Sequence, residues 1–256
     1  MSILDPYLKY YPIVALKTGT ETEDMGENEI QEMKNLTENR LPIYVKIGGP
    51  EARNDMRICQ KLAADGISAP MIESEYALRN FVQSLKNVLS PIYFSGIRKS
   101  INLETIQGYR NIMEILDSPY SEELDSITAA RSDLSASMNA KPDDKEITRI
   151  TKNIVMLARQ KGFETSVGGT ITKKNFDLIR FQISPDFINS RHIMVDLRQL
   201  PRNISGEEVA EAMLSLEIEI YELFAQRFSE KSYLYKNRIE TNRERIGERK
   251  VLYFIR

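Results

Sequence analysis

The sequence predicts an α/β fold, a (β/α)8 TIM barrel carrying extra C-terminal helices. Three observations lead there. Short apolar runs alternate with longer amphipathic ones, the pattern of parallel strands joined by crossover helices. Six or seven such units follow one another with no polar linker between them, which favours one closed barrel over an open sheet in two lobes. The length of 256 residues is a common size for a single-domain α/β barrel. A doubly wound open sheet is the competing architecture.

The elements follow in order. Pro12–Lys17 is an apolar run of strand length, and residues 24–39 form a polar helix with Ile30, Met33 and Leu36 on one face. Pro42–Ile47 is the next strand and stops at Gly48-Gly49. Ala52, Met56, Cys59 and Ala63 recur at helical spacing across 51–64, and 66–72 is a third strand. Ser74 stands at an N-cap position ahead of a helix over 75–89. Ser100–Leu103 is strand-like, 105–117 helical, and 125–130 β-prone, leading into a Ser-rich loop. A helix over 143–161 ends at Gly162, and 163–167 precedes Gly168-Gly169. A short helix at 175–181 and a last strand at 191–195 complete the barrel body, residues 1–204. From 205 to 256 the chain turns helical, with two apolar stripes, one through Val209, Met213 and Ile220 and one through Ala210, Leu214 and Tyr221. A helix apolar on two faces must bury both. One face can cover the barrel. The other calls for either a second copy of the chain or the charged final helix of the same one.

Composition excludes several classes. Cys59 and His192 are the only residues of their kinds, so neither a disulfide nor a His- or Cys-based zinc cluster can form within one chain. No run of 18 apolar residues occurs, so no membrane span is expected, and the N-terminus lacks the pattern of a signal peptide. A reducing cytoplasmic location is the expectation. The net charge is only −2, but it is uneven. Residues 21–40 carry seven acids against two bases, and residues 227–256 nine bases against four acids. These read as solvated helix faces, or as surfaces that meet on a neighbouring subunit. The acids interleaved in the basic stretch argue against nucleic acid.

In a barrel, groups at the C-terminal ends of the strands converge on one mouth. Those following the apolar runs are Lys17, Lys46, Glu73, Glu104, Arg131, Asp133 and the Gly168-Gly169 turn. Glu104 and Asp133 are two carboxylates brought together from different strands. Such a pair suits the hard cations Mg²⁺ or Mn²⁺, although acids at helix starts also serve the helix dipole alone. Lys17, Lys46 and Arg131 would make the mouth cationic, fit to hold a carboxylate and stabilise an enolate oxygen, and a buried lysine can also form a Schiff base. Glycine pairs let backbone N–H groups approach an anion.

Five stretches, in order, resemble one family. They are Lys46-Ile47-Gly48-Gly49-Pro50-Glu51-Ala52, then Asp65 to Ser74 containing Pro70-Met71-Ile72-Glu73-Ser74, then Asn102-Leu103-Glu104-Thr105, then Arg131-Ser132-Asp133-Leu134-Ser135-Ala136-Ser137-Met138, then Val167-Gly168-Gly169. Together they look like the HpcH/HpaI aldolase and citrate lyase β-subunit family of the phosphoenolpyruvate/pyruvate barrel superfamily, over roughly residues 12–195. The resemblance implies a (β/α)8 barrel with a divalent metal on Glu104 and Asp133. It implies cleavage or formation of a C–C bond beside an oxo acid or thioester through a metal-bound enolate, and oligomers built by the last helices. Two departures stand out. Lys46 occupies the place of an Arg that grips the substrate in the aldolases, and Lys lacks the planar two-pronged donor set. The early acid–base His is missing, its role left to Lys17, Glu21 or water.

The expected activity is therefore that of a Mg²⁺- or Mn²⁺-dependent carbon–carbon lyase acting on a small 2-oxo acid or related carboxylate. Lys46, Arg131 and Lys17 are the expected catalytic groups, Lys46, Gly168, Gly169 and Glu73 the substrate contacts, and Glu104 and Asp133 the metal ligands. A different enolate reaction on the same scaffold (mutase, hydrolase or condensing enzyme) and a non-catalytic assembly barrel are the alternatives. The expected partners are a small carboxylate and further copies of the chain, with neither nucleic acid nor membrane.

Overall fold

The computed structural model describes residues 2–247. Eight strands close into a barrel in sequence order: β1 (Ile13–Gly19), β2 (Ile43–Lys46), β3 (Gly66–Ala69), β4 (Arg98–Leu103), β5 (Ser126–Ala130), β6 (Glu164–Gly168), β7 (Phe187–Asn189) and β8 (Ile193–Asp196). Strands β1 to β7 pair parallel with their neighbours, and helices cross between most of them. The closed barrel with added C-terminal helices thus agrees with the sequence pattern.

One strand departs from it. β8 runs antiparallel to both β7 and β1, with an irregularity opposite Ile13 and Ala15. Only Ser190, Arg191 and His192 separate β7 from β8. So short a link cannot hold a crossover and must return the chain as a hairpin. The three residues of β7 are too few to show a period, and so the sequence reading gives a single strand at 191–195 where the chain makes two. Two further differences are local. Arg131–Ser137, expected as a Ser-rich loop, is helical, because Leu134 is buried and the hydroxyls of Ser135 and Ser137 donate back to the carbonyls of Ser132 and Leu134. The helix expected at 105–117 breaks at Asn111 into two short pieces.

The apolar core lies between the strands' outer faces and the helices. Ile43, Val45, Ile67, Ile101, Leu103, Ile127 and Val167 point outward and are buried there. The barrel interior is polar instead. Thr128 and Ser166 hydroxyls are 2.7 Å apart, Asn189 Nδ2 donates to Ser166 Oγ at 3.0 Å, and Ser68 Oγ donates to Asn102 Oδ1 at 3.2 Å.

The long helix Gly206–Arg227 buries residues of both stripes. Its second face is covered by the final helix, Ser232–Ile246, through Tyr235 and Ile239. The Tyr221 and Tyr235 rings stack 6.1 Å apart. The oppositely charged segments also meet within the chain. Lys231 Nζ lies 2.8 Å from Glu29, Arg227 pairs with Glu32, and Arg238 donates to the carbonyls of Thr22 and Glu23. Arg249, Lys250 and Arg256 of the basic stretch lie outside the described residues.

The long helix also fixes the β7–β8 turn. Glu217 is fully buried. Its Oε1 accepts from the Ser190 hydroxyl at 2.6 Å and the His192 N–H at 2.5 Å, and its Oε2 from Asn242 Nδ2 of the final helix at 2.8 Å. A Glu217→Ala variant leaves these donors buried and unmatched, at about 1–3 kcal/mol for each such group. We expect urea unfolding to show a loss of about 3 kcal/mol. A loss below about 1 kcal/mol would show that the clasp contributes little.

Candidate active site

A cavity of about 210 Å³ opens at the C-terminal ends of the parallel strands. Of the expected residues, Lys17, Lys46, Glu104, Asp133, Gly168 and Gly169 line it. They come from β1, β2, the end of β4, the helix after β5, and the end of β6. Glu104 is fixed by two donors. The Met71 backbone N–H reaches Oε1 at 2.8 Å, and Asn102 Nδ2 reaches Oε2 at 3.0 Å. Met71 holds that N–H in place from a left-handed backbone, φ 55°, which a side chain other than glycine adopts at a cost. Burial raises the pKa of Glu104, and Asp133 adds to the rise, while Lys46 and the two hydrogen bonds oppose it.

Lys46 lies 2.5 Å from Glu21. Burial works against its charge, but Glu23, Glu21 and Glu104 outweigh burial and raise its pKa. The hydroxyl-rich interior ends at Lys17, whose pKa falls to about 8 through burial and the neighbouring Lys46 charge, with Glu23, Glu104 and Glu217 opposing. Gly169 is required by geometry. Its φ is +87°, and a Cβ there would stand 2.5 Å from the Ser132 nitrogen.

Two expected contacts are placed elsewhere. Arg131 does not line the cavity. Its guanidinium is wholly buried and donates through Nη2 to the Pro142 carbonyl and to Asp143, both at 2.5 Å. Asp143 also accepts from Asn175, which donates in turn to the Thr170 carbonyl, so Arg131 supports the loop that borders the cavity. Glu73 is likewise absent from the lining. Its carboxylate accepts from Thr105 Oγ1 at 2.6 Å, and its carbonyl from Asn111 Nδ2 at 2.7 Å. Glu73 thereby braces the segment after Glu104. The Gly48 N–H is not available to an anion, since it donates to Asp55. Cys59 is buried, and His192 is buried with its Nδ1–H donating to the Lys17 carbonyl at 2.8 Å.

The sequence reading passed over Glu23, Arg191 and Arg245, which also line the cavity. Glu23 belongs to the acidic stretch 21–40, which reads as a solvated helix face. Arg191 lies in the turn hidden by the missed strand, and Arg245 in the helix read as a solvated face. No period in the sequence marks them. Asn102, Thr128 and Asn189 carried a signal, since each is a polar residue at an inward position of a strand.

Glu104 and Asp133 face one cavity and supply only hard oxygen donors. Among the described residues no group of three or more His, Cys, Asp or Glu side chains is assembled to hold a metal. Two carboxylates are hard donors of the kind Mg²⁺ or Mn²⁺ takes, with water or substrate oxygens to complete the shell, and they lack the His or Cys donors that zinc favours.

The strand ends of the barrel bring two carboxylates and two lysines into one polar mouth. The HpcH/HpaI aldolase/citrate lyase family model matches residues 45–174, half of the chain, and the protein belongs to that family. Similar solved structures include an HpcH/HpaI aldolase from Desulfitobacterium hafniense DCB-2, 12% identical with a TM-score of 0.56, covering 68% of this chain and 75% of that one. An HpcH/HpaI aldolase/citrate lyase family protein from Burkholderia cenocepacia J2315 has the same identity and TM-score, over 68% and 77%. The citrate synthase SbnG is 17% identical with a TM-score of 0.58, over 73% and 80%. At these identities the likeness is one of fold. Among curated proteins no match was found.

The Lys17 environment makes a testable statement. With a pKa near 8, its amine is mostly protonated at pH 7 and mostly free by pH 9. Competitive acetylation read by peptide mass spectrometry should give Lys17 a midpoint near 8, with surface lysines titrating near about 10.4. A Lys17 midpoint coinciding with the surface lysines would contradict the desolvated placement.

Proposed function

We propose that the protein is a divalent-metal-dependent enzyme that breaks or forms a carbon–carbon bond beside the oxo group of a small 2-oxo acid, through an enolate. The observation that supports this reading is the convergence of Glu104 and Asp133, from successive strand ends, on one cavity that also holds Lys46 and Lys17.

A Mg²⁺ or Mn²⁺ ion bound by Glu104 and Asp133 would supply Lewis acidity toward the oxo and carboxylate oxygens. The remaining work falls to the chain. Asn102 and the Met71 N–H hold the Glu104 carboxylate in one orientation, so the negative pole of the cavity is set before substrate arrives. Lys46, kept charged by its acidic neighbours, balances the negative charge that gathers on the enolate oxygen. Lys17, whose pKa falls to about 8, stands on the cavity wall and serves as the proton carrier, taking the hydroxyl proton as the carbon–carbon bond breaks and returning it to the enolate carbon. The only histidine, His192, is not among the lining residues, so no imidazole takes that role. The polar interior beneath, through Thr128 and Asn189, offers donors to the substrate carboxylate. The reaction in the reverse, condensing sense uses the same enolate. Lys46 in place of the aldolase Arg, with no histidine at the mouth, favours weighing that direction alongside cleavage.

Pyruvate incubated in D₂O with Mg²⁺ tests the reading by proton NMR. We expect enzyme-dependent loss of the methyl signal, abolished by chelation. It should slow at least about 100-fold in Glu104→Gln and in Asp133→Asn, within the range of one lost electrostatic element of a site. Exchange that survives chelation or either substitution would contradict the assignment.

A further inference from the structure

We infer that Arg191 and Arg245 form a second anion-binding subsite in the mouth cavity, one that selects substrates carrying a carboxylate or phosphate at the end remote from the oxo-acid group. The inference rests on the proposed function, because it takes the Glu104–Asp133 pole as the oxo-acid end.

Both arginines lie outside the 45–174 stretch that the family model matches. They stand on the two features peculiar to this barrel's closure. Arg191 is in the three-residue turn between β7 and the reversed β8, and Arg245 is near the end of the final helix. Glu217 locks that turn through Ser190 and His192 and ties it to the final helix through Asn242, so the backbone carrying the two side chains is held together. Both side chains reach the same cavity.

Charge pairing leaves one of them unanswered. Lys46 is paired with Glu21, and Arg191 donates to Glu23 at 3.1 Å. A divalent cation would offset Glu104 and Asp133. Arg245 forms no hydrogen bond or ion pair among the described residues. Burial lowers its pKa, Glu217 opposes that, and the nearby Arg191 charge adds to it. Glu217 acts on Arg245 only through its field, since its oxygens are turned to Ser190, His192 and Asn242 and form no ion pair with Arg245 among the described residues. Two guanidiniums converging on a half-buried wall repel each other until an anion lies between them. Their planar forks match a carboxylate or phosphate, which a lysine would hold only as a point charge.

This pole is distinct from the metal pole. In the closed eight-strand order β8 stands across the barrel from β4, so the turn that carries Arg191 and the end of β4 that precedes Glu104 border opposite sides of the mouth. A substrate spanning both poles therefore carries an anion at each end.

Calorimetric titration of the full-length protein with Mg²⁺ tests the inference, using pyruvate, 2-oxoglutarate and phosphonopyruvate as probes. We expect 2-oxoglutarate or phosphonopyruvate to bind at least about tenfold tighter than pyruvate, the stronger of the two showing whether the distal group is carboxylate or phosphate. In Arg245→Gln that ratio should fall to within about twofold. Arg245→Lys, which keeps the charge and stem, should retain an intermediate ratio. A ratio near one in the unaltered protein, or one unchanged in Arg245→Gln, would overturn the subsite. Dianion preference that depends on Arg245 but not on Mg²⁺ would uphold the subsite and contradict the metal assignment alone. Failure of all three probes to bind would overturn both.

Discussion

The reversed eighth strand is the constraint from which the rest of the site follows. A parallel β8 would need a crossover helix, and the mouth would be bordered on that side by a loop leading into it. A strand that returns by a hairpin brings Ser190 and Arg191 to the mouth directly. The turn would bury the His192 N–H and the Ser190 hydroxyl without this partner were it not gripped by Glu217, and Glu217 reaches it only because the long helix packs across that end of the barrel. The final helix then covers the other face of the long helix and delivers Arg245. Closure of the barrel, packing of the C-terminal helices and charge at the mouth are thus one problem solved once.

The interior of the barrel is correspondingly polar. In many barrels inward layers of branched apolar residues fill the centre. Here the lining is two hydrogen-bonded strings, one of Ser68, Asn102 and Glu104 and one of Thr128, Ser166 and Asn189. Such a lining gains little from hydrophobic burial, and the stabilising apolar surface lies outside the strands. What it provides is orientation. Glu104 receives two donors, and the surroundings of the two lysines shift their protonation in opposite directions. Lys46 stays charged because carboxylates surround it, whereas Lys17 is pulled toward neutrality by burial beside that same cation.

Much of this was legible in the sequence. The alternation of apolar runs and amphipathic helices gives the barrel. The residues at the ends of those runs include Lys17, Lys46, Glu104, Asp133 and Gly168-Gly169, all on the cavity wall. The rule that strand ends meet at one mouth holds where the side chain turns into the mouth, as that of Asp133 does from the helix after β5. It fails for Arg131, which begins a helix and turns away to Asp143, and for Glu73, which turns to Thr105. The β7–β8 hairpin was not legible, because three-residue and four-residue strands carry no measurable period. Arg191 and Arg245 were hidden with it. A charged residue in a turn or on a charged helix looks like solvated surface until the tertiary fold says what it faces.

The account stands on Glu104 and Asp133 acting together as the seat of one hard cation. Mn²⁺ titration followed by electron paramagnetic resonance tests that most directly, since it reads the ion without requiring a substrate. One bound Mn²⁺ per chain is predicted for the unaltered protein, lost in Glu104→Gln and lost equally in Asp133→Asn. Mn²⁺ bound undiminished by either variant would contradict it.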